Sequence, residues 1–348
     1  MIITEASPAA PDRGAAPDRG AAQDDIELIR SAVTAGLITH YEVVTGAAVV
    51  EGRRLVLHGR TIAYARHGSG WADTAQREAA CLRGLVGSGL VPELVPGGAG
   101  ADWVLALPGT RLSELRGTMA ELADVCQAWG SAVAALHQCG VPAGPQAPVA
   151  PRPWMLDPDR LPRSMRQLPA ASARAFVLRT LTSDRALRRT IERVADQWSA
   201  DRWIHGELSA DRVLVQRIPE IRVRFVELSI AGLGDPGWDL AGAVETVAEL
   251  TGESRAPWGS AGETCLRDYL LQGYRRGGGS AVITAGARAL RIVGRAWQAA
   301  AALDQRAGRP VTMHPAAGHA GESTRLTRQL ALARELAERS ARPGLVAA

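Results

Sequence analysis

Two stretches decide the fold, and they lie close together in the second half of the chain. The first reads Trp203-Ile-His-Gly-Glu-Leu-Ser-Ala-Asp-Arg-Val-Leu-Val215, and the second reads Val226-Glu-Leu-Ser-Ile-Ala-Gly-Leu-Gly-Asp-Pro-Gly-Trp-Asp-Leu-Ala241. Short apolar runs at 213–215 and 223–226 predict a pair of strands. The second stretch contains a Pro-containing turn, in which Asp235 is predicted to cap a helix that begins at the following proline.

The composition excludes several kinds of chemistry. The 348-residue chain has 40 basic residues, all of them arginine, and it contains neither lysine nor asparagine. A Schiff-base lysine, a phosphate-binding lysine and an asparagine metal ligand are therefore ruled out. No apolar run is long enough to span a membrane, and we expect no secretory signal because the N-terminus lacks a basic flank and an apolar run. Four widely spaced cysteines show neither metal-ligand spacing nor a disulfide framework, so we expect a cytoplasmic protein.

The pattern along the chain predicts an α+β protein with two lobes. We expect a disordered tail over 1–24, a small lobe over 25–107, a larger lobe over 108–340 and a short tail over 341–348. The predicted elements of the small lobe are helices over 25–36 and 72–87 and strands over 43–50, 55–57, 60–66 and 103–107. The larger lobe is predicted to be mostly helical apart from the strand pair, with helices over 119–138, 172–198, 238–251, 263–276, 282–304 and 322–340.

The two stretches resemble the aminoglycoside phosphotransferase and small-molecule kinase family, a branch of the protein-kinase-like fold. That family's catalytic loop reads His-Gly-Asp-x4-Asn-x-Leu, and its metal-binding strand ends shortly before Gly-Asp-Pro-x2-Asp-Leu-Ala. Gly234-Asp-Pro-Gly-Trp-Asp-Leu-Ala241 follows the second pattern, and both motifs occur in the family's order and spacing. The resemblance implies a bilobal fold with a small sheet-containing N-lobe and a larger helical C-lobe. It also implies ATP and Mg²⁺ as cofactors if the protein is active, and no cofactor otherwise.

The resemblance assigns roles to five positions, four of which differ from the family pattern. The lysine that binds the α- and β-phosphates corresponds to Arg66, with Glu78 as its partner on the following helix. The catalytic-loop aspartate corresponds to Glu207, the magnesium-binding asparagine to Arg212, and the metal-binding aspartate to Glu227. Arginine can contact phosphate but cannot ligate a cation. Glutamate keeps the negative charge but moves the carboxylate outward, and a displacement of about 1 Å can cost about 10²-fold in rate.

Three further residues are implied to be structural rather than catalytic. In the family, residues equivalent to His205 and Asp239 hydrogen-bond the catalytic loop and fix its backbone, and Asp235 is predicted to cap the next helix. The first strands contain no Gly-x-Gly-x-x-Gly phosphate loop. The remaining histidines show no ligand spacing, so the sequence does not predict a metal site independent of nucleotide.

One segment is strongly basic. Residues 160–194 contain nine arginines against two acidic residues, a net charge of +7. Arg185, Arg188 and Arg189 are candidate substrate-binding residues, because a local positive field attracts an acidic peptide or a phosphorylated substrate. The alternative is a solvated arginine face on a helix. The segment lacks interleaved aromatic residues, which argues against a nucleic-acid partner.

Two functional hypotheses follow from these residues. The first is an ATP-dependent phosphotransferase that acts on a hydroxyl of a small molecule or on Ser/Thr of a peptide, as in relatives from ribosomal peptide natural-product pathways that work with a partner lyase. The second is a pseudokinase that binds a peptide or a partner enzyme. The retained carboxylates favour the first hypothesis, and the loss of both lysine and asparagine favours the second. Neither hypothesis involves a membrane.

Overall fold

The computed structural model describes residues 19–51, 53–66, 72–97, 102–141, 147–250, 259–307 and 317–341. The chain divides into two compact units. The sheet unit comprises Met1–Ala72 and Glu93–Ala106, and the helical unit comprises Asp73–Pro92 and Leu107–Ala348. Most of the two predicted tails, residues 1–18 and 342–348, lies outside the described residues.

The sheet unit contains a five-stranded antiparallel sheet in the order β1-β2-β3-β5-β4. Its elements are α1 (Arg19–Thr34), α2 (His40–Val44), β1 (Ala48–Glu51), β2 (Arg54–Leu57), β3 (Arg60–Arg66), β4 (Leu94–Pro96) and β5 (Asp102–Leu105). The core of this unit packs α1 against the sheet through Leu28, Leu55 and Trp103. The indole of fully buried Trp103 donates a hydrogen bond to Ser31 Oγ at 3.1 Å, so the helix is fixed to the sheet by a satisfied polar contact.

The predicted elements of the sheet unit are largely confirmed, with two corrections. The disordered tail predicted over 1–24 is wrong for residues 19–24, because α1 already begins at Arg19. His58 and Gly59 have φ of 48° and 74°, which is the backbone of the tight turn that joins twisted antiparallel strands. The strand predicted over 43–50 is wrong in its first half, because Val43 and Val44 lie in α2. A capping box between Thr39 and Glu42 starts that helix and overrides the strand preference of the valines.

Among its described residues, the helical unit is built mainly from eight longer helices and one short helix. They are α3 (Ala72–Gly84), α4 (Met119–Gln138), α5 (Arg163–Arg166), α6 (Ala173–Ser183), α7 (Arg185–Asp196), α8 (Pro236–Leu250), α9 (Gly259–Arg276), α10 (Ala285–Ala307) and α11 (Ala317–Ser340). The predicted helix over 119–138 is confirmed at both ends, and Thr118 and Glu121 form its capping box. The single helix predicted over 172–198 is wrong. Asp184 has an extended backbone and caps α7 by accepting the N–H groups of Ala186 and Leu187, so the chain forms two helices there.

Two small sheets complete the helical unit. The predicted strand pair is present as β8 (Val213–Gln216) and β9 (Arg222–Phe225), but β6 (Thr110–Arg111) adds a third strand beside β8. A second antiparallel pair joins β7 (Arg202–Ile204) to β10 (Gly232–Gly234). The strands β4, β6, β7 and β10 were not predicted, because each has only two or three residues and the sequence therefore shows no alternation of apolar and polar residues there. Among the described residues, no helix is long and apolar enough to cross a membrane.

Two helices approach each other closely where α4 crosses α9. A Cβ atom built on Gly130 of α4 would lie 1.9 Å from the carbonyl oxygen of Leu270, and one built on Gly273 of α9 would lie 1.9 Å from that of Gln127. These contacts are with backbone atoms, which cannot relieve a clash by adopting another rotamer as a side chain can. The two helices therefore pack this closely only because both positions are glycine.

We predict that Gly130→Ala lowers the free energy of unfolding by more than about 2 kcal/mol, because the new methyl group forces α4 and α9 apart. Urea unfolding followed by circular dichroism measures the change. Gly140→Ala is the matched control, since a Cβ there meets nothing within 4 Å, and we expect it to change stability by less than about 0.5 kcal/mol. Equal effects of the two substitutions would contradict the close packing.

Candidate functional site

The loop that follows β7 is fixed by one buried carboxylate. Asp239 lies in the first turn of α8 and is fully buried. Its Oδ2 accepts the backbone N–H of His205 at 2.6 Å, and its Oδ1 accepts that of Gly206 at 2.8 Å. These two bonds connect the start of α8 to the loop that holds Glu207.

The charge of Asp239 is supported by a second buried histidine. His137 Nε2 lies 3.6 Å from Asp239 Oδ2, and the His137 Nδ1 is 2.9 Å from the hydroxyl of Tyr274. Burial alone would raise the pKa of Asp239, but the contacts with His137 and the hydrogen bond from the backbone of His205 together hold that pKa below its usual value. The carboxylate therefore stays ionised inside the core.

His205 is held as a neutral imidazole. Its Nε2 donates to the carbonyl oxygen of Val226 at 2.9 Å, since a carbonyl can only accept, and its Nδ1 accepts the N–H of Glu207 at 3.3 Å. Burial is the largest influence on this ring and lowers its pKa, in spite of the opposing charge of Asp239. Protonation would remove the acceptor at Nδ1 and leave the Glu207 N–H without its partner.

Glu227 has a left-handed backbone, with φ of 62° and ψ of 57°. This conformation is unfavourable for a residue with a Cβ atom, and both neighbours hold it in place. The carbonyl of Val226 is bonded to His205, and the N–H of Leu228 donates to Glu78 Oε1 at 3.3 Å. Glu78, on α3, is thus placed beside the turn that presents Glu227.

Arg212 lies between the carboxylates of Glu207 and Glu227. Its Nη1 is 2.9 Å from Glu207 Oε2, and its Nε is 3.3 Å from Glu227 Oε2. The Nη1 contact is an ion pair without hydrogen-bond alignment. The Arg212 residue is only 7% exposed, so its charge is neutralised mainly by these two glutamates. The structure thus brings together three residues that the sequence analysis singled out.

Three residues around the loop were missed by the sequence analysis. Gln298 donates to Glu207 Oε1 at 2.6 Å, and Arg291 donates to the carbonyl of Gly206 at 3.1 Å while its guanidinium lies 5.0 Å from the ring centre of Trp238. Arg111 bonds to the carbonyl of Asp211 and lies 3.5 Å from Glu227 Oε1. Arg291 and Gln298 lie on one face of α10 at helical spacing, and that polar face was the only signal that could have indicated them.

The remaining predicted residues lie elsewhere. Asp235 Oδ1 accepts the N–H of Gly237 at 2.7 Å, at the start of α8. Arg66 is the last residue of β3, in register with Asp102, and its side chain lies outside the described residues. The three candidate substrate-binding arginines, Arg185, Arg188 and Arg189, are exposed on α7.

The residues present do not fit a magnesium ion. A cation that bound Glu227 Oε2 would lie beside Arg212, whose Nε is 3.3 Å from that oxygen. A divalent cation and a guanidinium about 4 Å apart repel by about 8 kcal/mol at an effective dielectric constant of 20. Within the described part of the chain, no group of three or more His, Cys, Asp or Glu residues could hold a metal ion. Arg212 thus supplies the positive charge that these two carboxylates require.

Comparison with known proteins establishes the family. The model of the phosphotransferase enzyme family matches residues 48–282, so the chain belongs to that family. No curated protein is similar enough in sequence to match it.

Solved structures establish the fold. A candidate aminoglycoside phosphotransferase from Ralstonia eutropha is 14% identical, with a TM-score of 0.54 over 92% of this chain and 99% of that chain. A choline/ethanolamine kinase family protein from Mesorhizobium loti is 16% identical, with a TM-score of 0.52 over 91% and 99%. An ethanolamine kinase from Plasmodium vivax is 10% identical, with a TM-score of 0.51 over 94% and 90%. The predicted protein-kinase-like α+β fold is confirmed.

We predict that the free energy of unfolding falls between about pH 7 and pH 5, in part because of His205. The folded protein holds the pKa of this ring below its usual value of about 6.5, so the unfolded chain binds the extra proton first and is favoured as the pH falls. The lowered pKa of Asp239 acts only below about pH 4. Urea titrations across this pH range should therefore show that the free energy of unfolding falls less for the His205→Gln variant than for the unsubstituted protein.

The exposed His40 on α2 provides the control. We expect His40→Gln to lose as much stability over this pH range as the unsubstituted protein. Equal pH dependence of the His205→Gln and His40→Gln variants would show that His205 does not contribute.

Proposed function

We propose that this chain is a catalytically degenerate member of its family, a pseudokinase that binds a peptide or a partner enzyme and does not transfer phosphate with Mg²⁺. One observation supports this proposal above the others: Arg212 is paired with both Glu207 and Glu227. The two acidic groups that an active relative would use for the acceptor and the metal are therefore occupied by a charge within the protein.

The state of Glu207 supports the same conclusion. A general base must be free to accept a proton from the acceptor hydroxyl. Here Oε2 of Glu207 faces the guanidinium of Arg212, and Oε1 accepts the amide of Gln298. Both oxygens are engaged with positive or donating groups of this chain, so an acceptor hydroxyl would have to compete with them for the carboxylate.

The charge balance also argues against metal-dependent transfer. Phosphoryl transfer in kinases depends on positioning and on neutralisation of charge by metal ions. Two arginines, Arg111 and Arg212, already face the two glutamates at distances of 3.5 Å or less. The local charge is therefore balanced before any cation binds.

An active phosphotransferase is the second candidate, and the accessibility of the acids favours it. The side chains of Glu207 and Glu227 are 19% and 44% exposed, so solvent and ligands can reach both. In that case MgATP at a hundredfold excess over its Kd should stabilise the protein by about 2.7 kcal/mol. Glu227→Ala should abolish this stabilisation, whereas Glu207→Ala should remove turnover and leave binding nearly intact.

We predict that Arg212→Asn turns a metal-indifferent protein into one that Mg²⁺ stabilises. Without the guanidinium, Glu207 and Glu227 repel each other, and we expect a loss of about 2–4 kcal/mol in metal-free buffer. This loss is small for the breaking of a buried ion pair, because the side chain of Glu227 is half-exposed. Millimolar MgCl₂ should recover part of that loss, as measured by thermal unfolding with and without ATP.

The control is Arg222→Asn, which removes an exposed arginine of β9 whose carboxylate partner is Glu220. We expect no loss above about 0.5 kcal/mol and no response to Mg²⁺. A Mg²⁺-dependent rise in melting temperature of the unsubstituted protein with ATP, or its release of ADP in the presence of a hydroxyl acceptor, would overturn the proposal in favour of the active enzyme.

A further inference from the structure

One cavity of the helical unit lies away from the residues of the candidate site. It has a volume of about 380 Å³ and lies between the N-terminal half of α7 and the C-terminal end of α11. Its charged lining consists of Asp184, Arg185, Arg189, Arg334 and Glu338. The α11 residues lie outside the segment 48–282 that matches the family model, so the cavity is formed in part by sequence that the family pattern does not describe.

The acidic groups of this cavity already have partners. Asp184 Oδ1 accepts the N–H groups of Ala186 and Leu187 at 2.8 and 3.1 Å. Arg334 Nε lies 3.3 Å from Asp184 Oδ2 and 3.1 Å from Glu338 Oε1. One arginine therefore contacts both carboxylates, and among the described residues no ion pair joins either carboxylate to Arg185 or Arg189.

Two arginines in the lining remain available to a ligand. Within the described ranges, neither Arg185 nor Arg189 forms an ion pair or a side-chain hydrogen bond. With three arginines against two acids, the lining has a net positive charge. Both arginines also lie in the first half of α7, where the positive end of the helix dipole adds to their field.

These two arginines line the cavity, whereas a third arginine on the same helix does not. Arg188 is equally exposed on α7, but it does not line the cavity. A merely solvated arginine face would give all three residues the same role. The concave surface instead gives Arg185 and Arg189 a shared binding volume, and Arg188 faces solvent outside it.

We propose that this cavity binds an extended acidic peptide segment whose carboxylates engage Arg185 and Arg189. Four residues of helix separate the two arginines by about 6 Å along the axis. Alternate residues of an extended peptide point to the same side and are about 6.7 Å apart, so acidic residues at positions i and i+2 match that spacing. Guanidinium groups bind carboxylates through two parallel hydrogen bonds, and the lining contains no aromatic residue on which a nucleic-acid base could stack.

The test uses the full chain and a fluorescein-labelled nonapeptide of alternating glutamate and alanine, with fluorescence anisotropy as the measurement. We expect binding that weakens as salt rises from about 0.05 to 0.3 M. The Arg185→Glu/Arg189→Glu variant should weaken binding at least tenfold. A peptide with glutamine in place of glutamate should not bind.

The matched control is Arg163→Glu/Arg188→Glu, which changes the net charge equally at exposed arginines of α5 and α7 outside the cavity. We expect less than a threefold effect. Circular dichroism checks that each variant folds. If the charge reversal impairs folding, Arg185→Gln/Arg189→Gln should still weaken binding at least threefold.

Three results would overturn the proposal. One is an equal loss of affinity in the control variant, which would show that only the general positive field attracts the peptide. Another is the absence of binding at low salt. The third is an affinity for an oligothymidylate of equal charge that matches the affinity for the peptide and falls equally when Arg185 and Arg189 are substituted. Glu207, Arg212 and Glu227 do not line this cavity, so the outcome of this test is independent of the pseudokinase proposal.

Discussion

The two hydrogen bonds from the loop backbone to buried Asp239 are the interaction on which the candidate site depends. They satisfy the N–H groups of His205 and Gly206, which would otherwise be buried without partners at a cost of about 1–3 kcal/mol each. Asp239 can stay ionised there because it lies in the first turn of α8, where the helix dipole favours a negative charge, and because His137 lies beside it. With the loop fixed at His205, the positions of Glu207 and Val226 are also fixed, since the same ring bonds to both.

The contacts around this loop require a strained backbone conformation at one residue, Glu227. A left-handed backbone costs a residue with a side chain about 1–2 kcal/mol, and such a conformation persists only where the surroundings determine it. The bonds to Val226 and Leu228 on either side do so. Because they come from the loop histidine and from Glu78 of α3, two distant parts of the helical unit meet at this turn. The result is that Glu227 projects toward Arg212 and not away from it.

Much of the fold could be predicted from sequence, and the site only in part. Long helices such as 119–138 show their apolar spacing and their capping residues, whereas β6, β7 and β10 are too short to show any alternation. The break at Asp184 was missed because helical spacing continues on both sides of it. Motifs indicated Glu207, Arg212 and Glu227 as a group, but their ion pairing depends on tertiary geometry. Gln298 and Arg111 belong to no motif, so only the folded chain could show that they bond to the same loop.

The substitutions at the diagnostic positions are consistent with one another as a set. Exchanging the loop asparagine for arginine would leave an unpaired buried cation if the neighbouring acids were also lost, and that is among the most costly changes in a protein core. Keeping acidic residues at 207 and 227 provides partners for that cation, and the longer glutamate side chains reach Arg212 at 2.9 and 3.3 Å. In the family pattern the acid at the position of Glu227 binds a magnesium ion, which brings its positive charge from outside the chain. Here Arg212 supplies positive charge to both glutamates from within the chain, which stabilises the loop whether or not a ligand is bound.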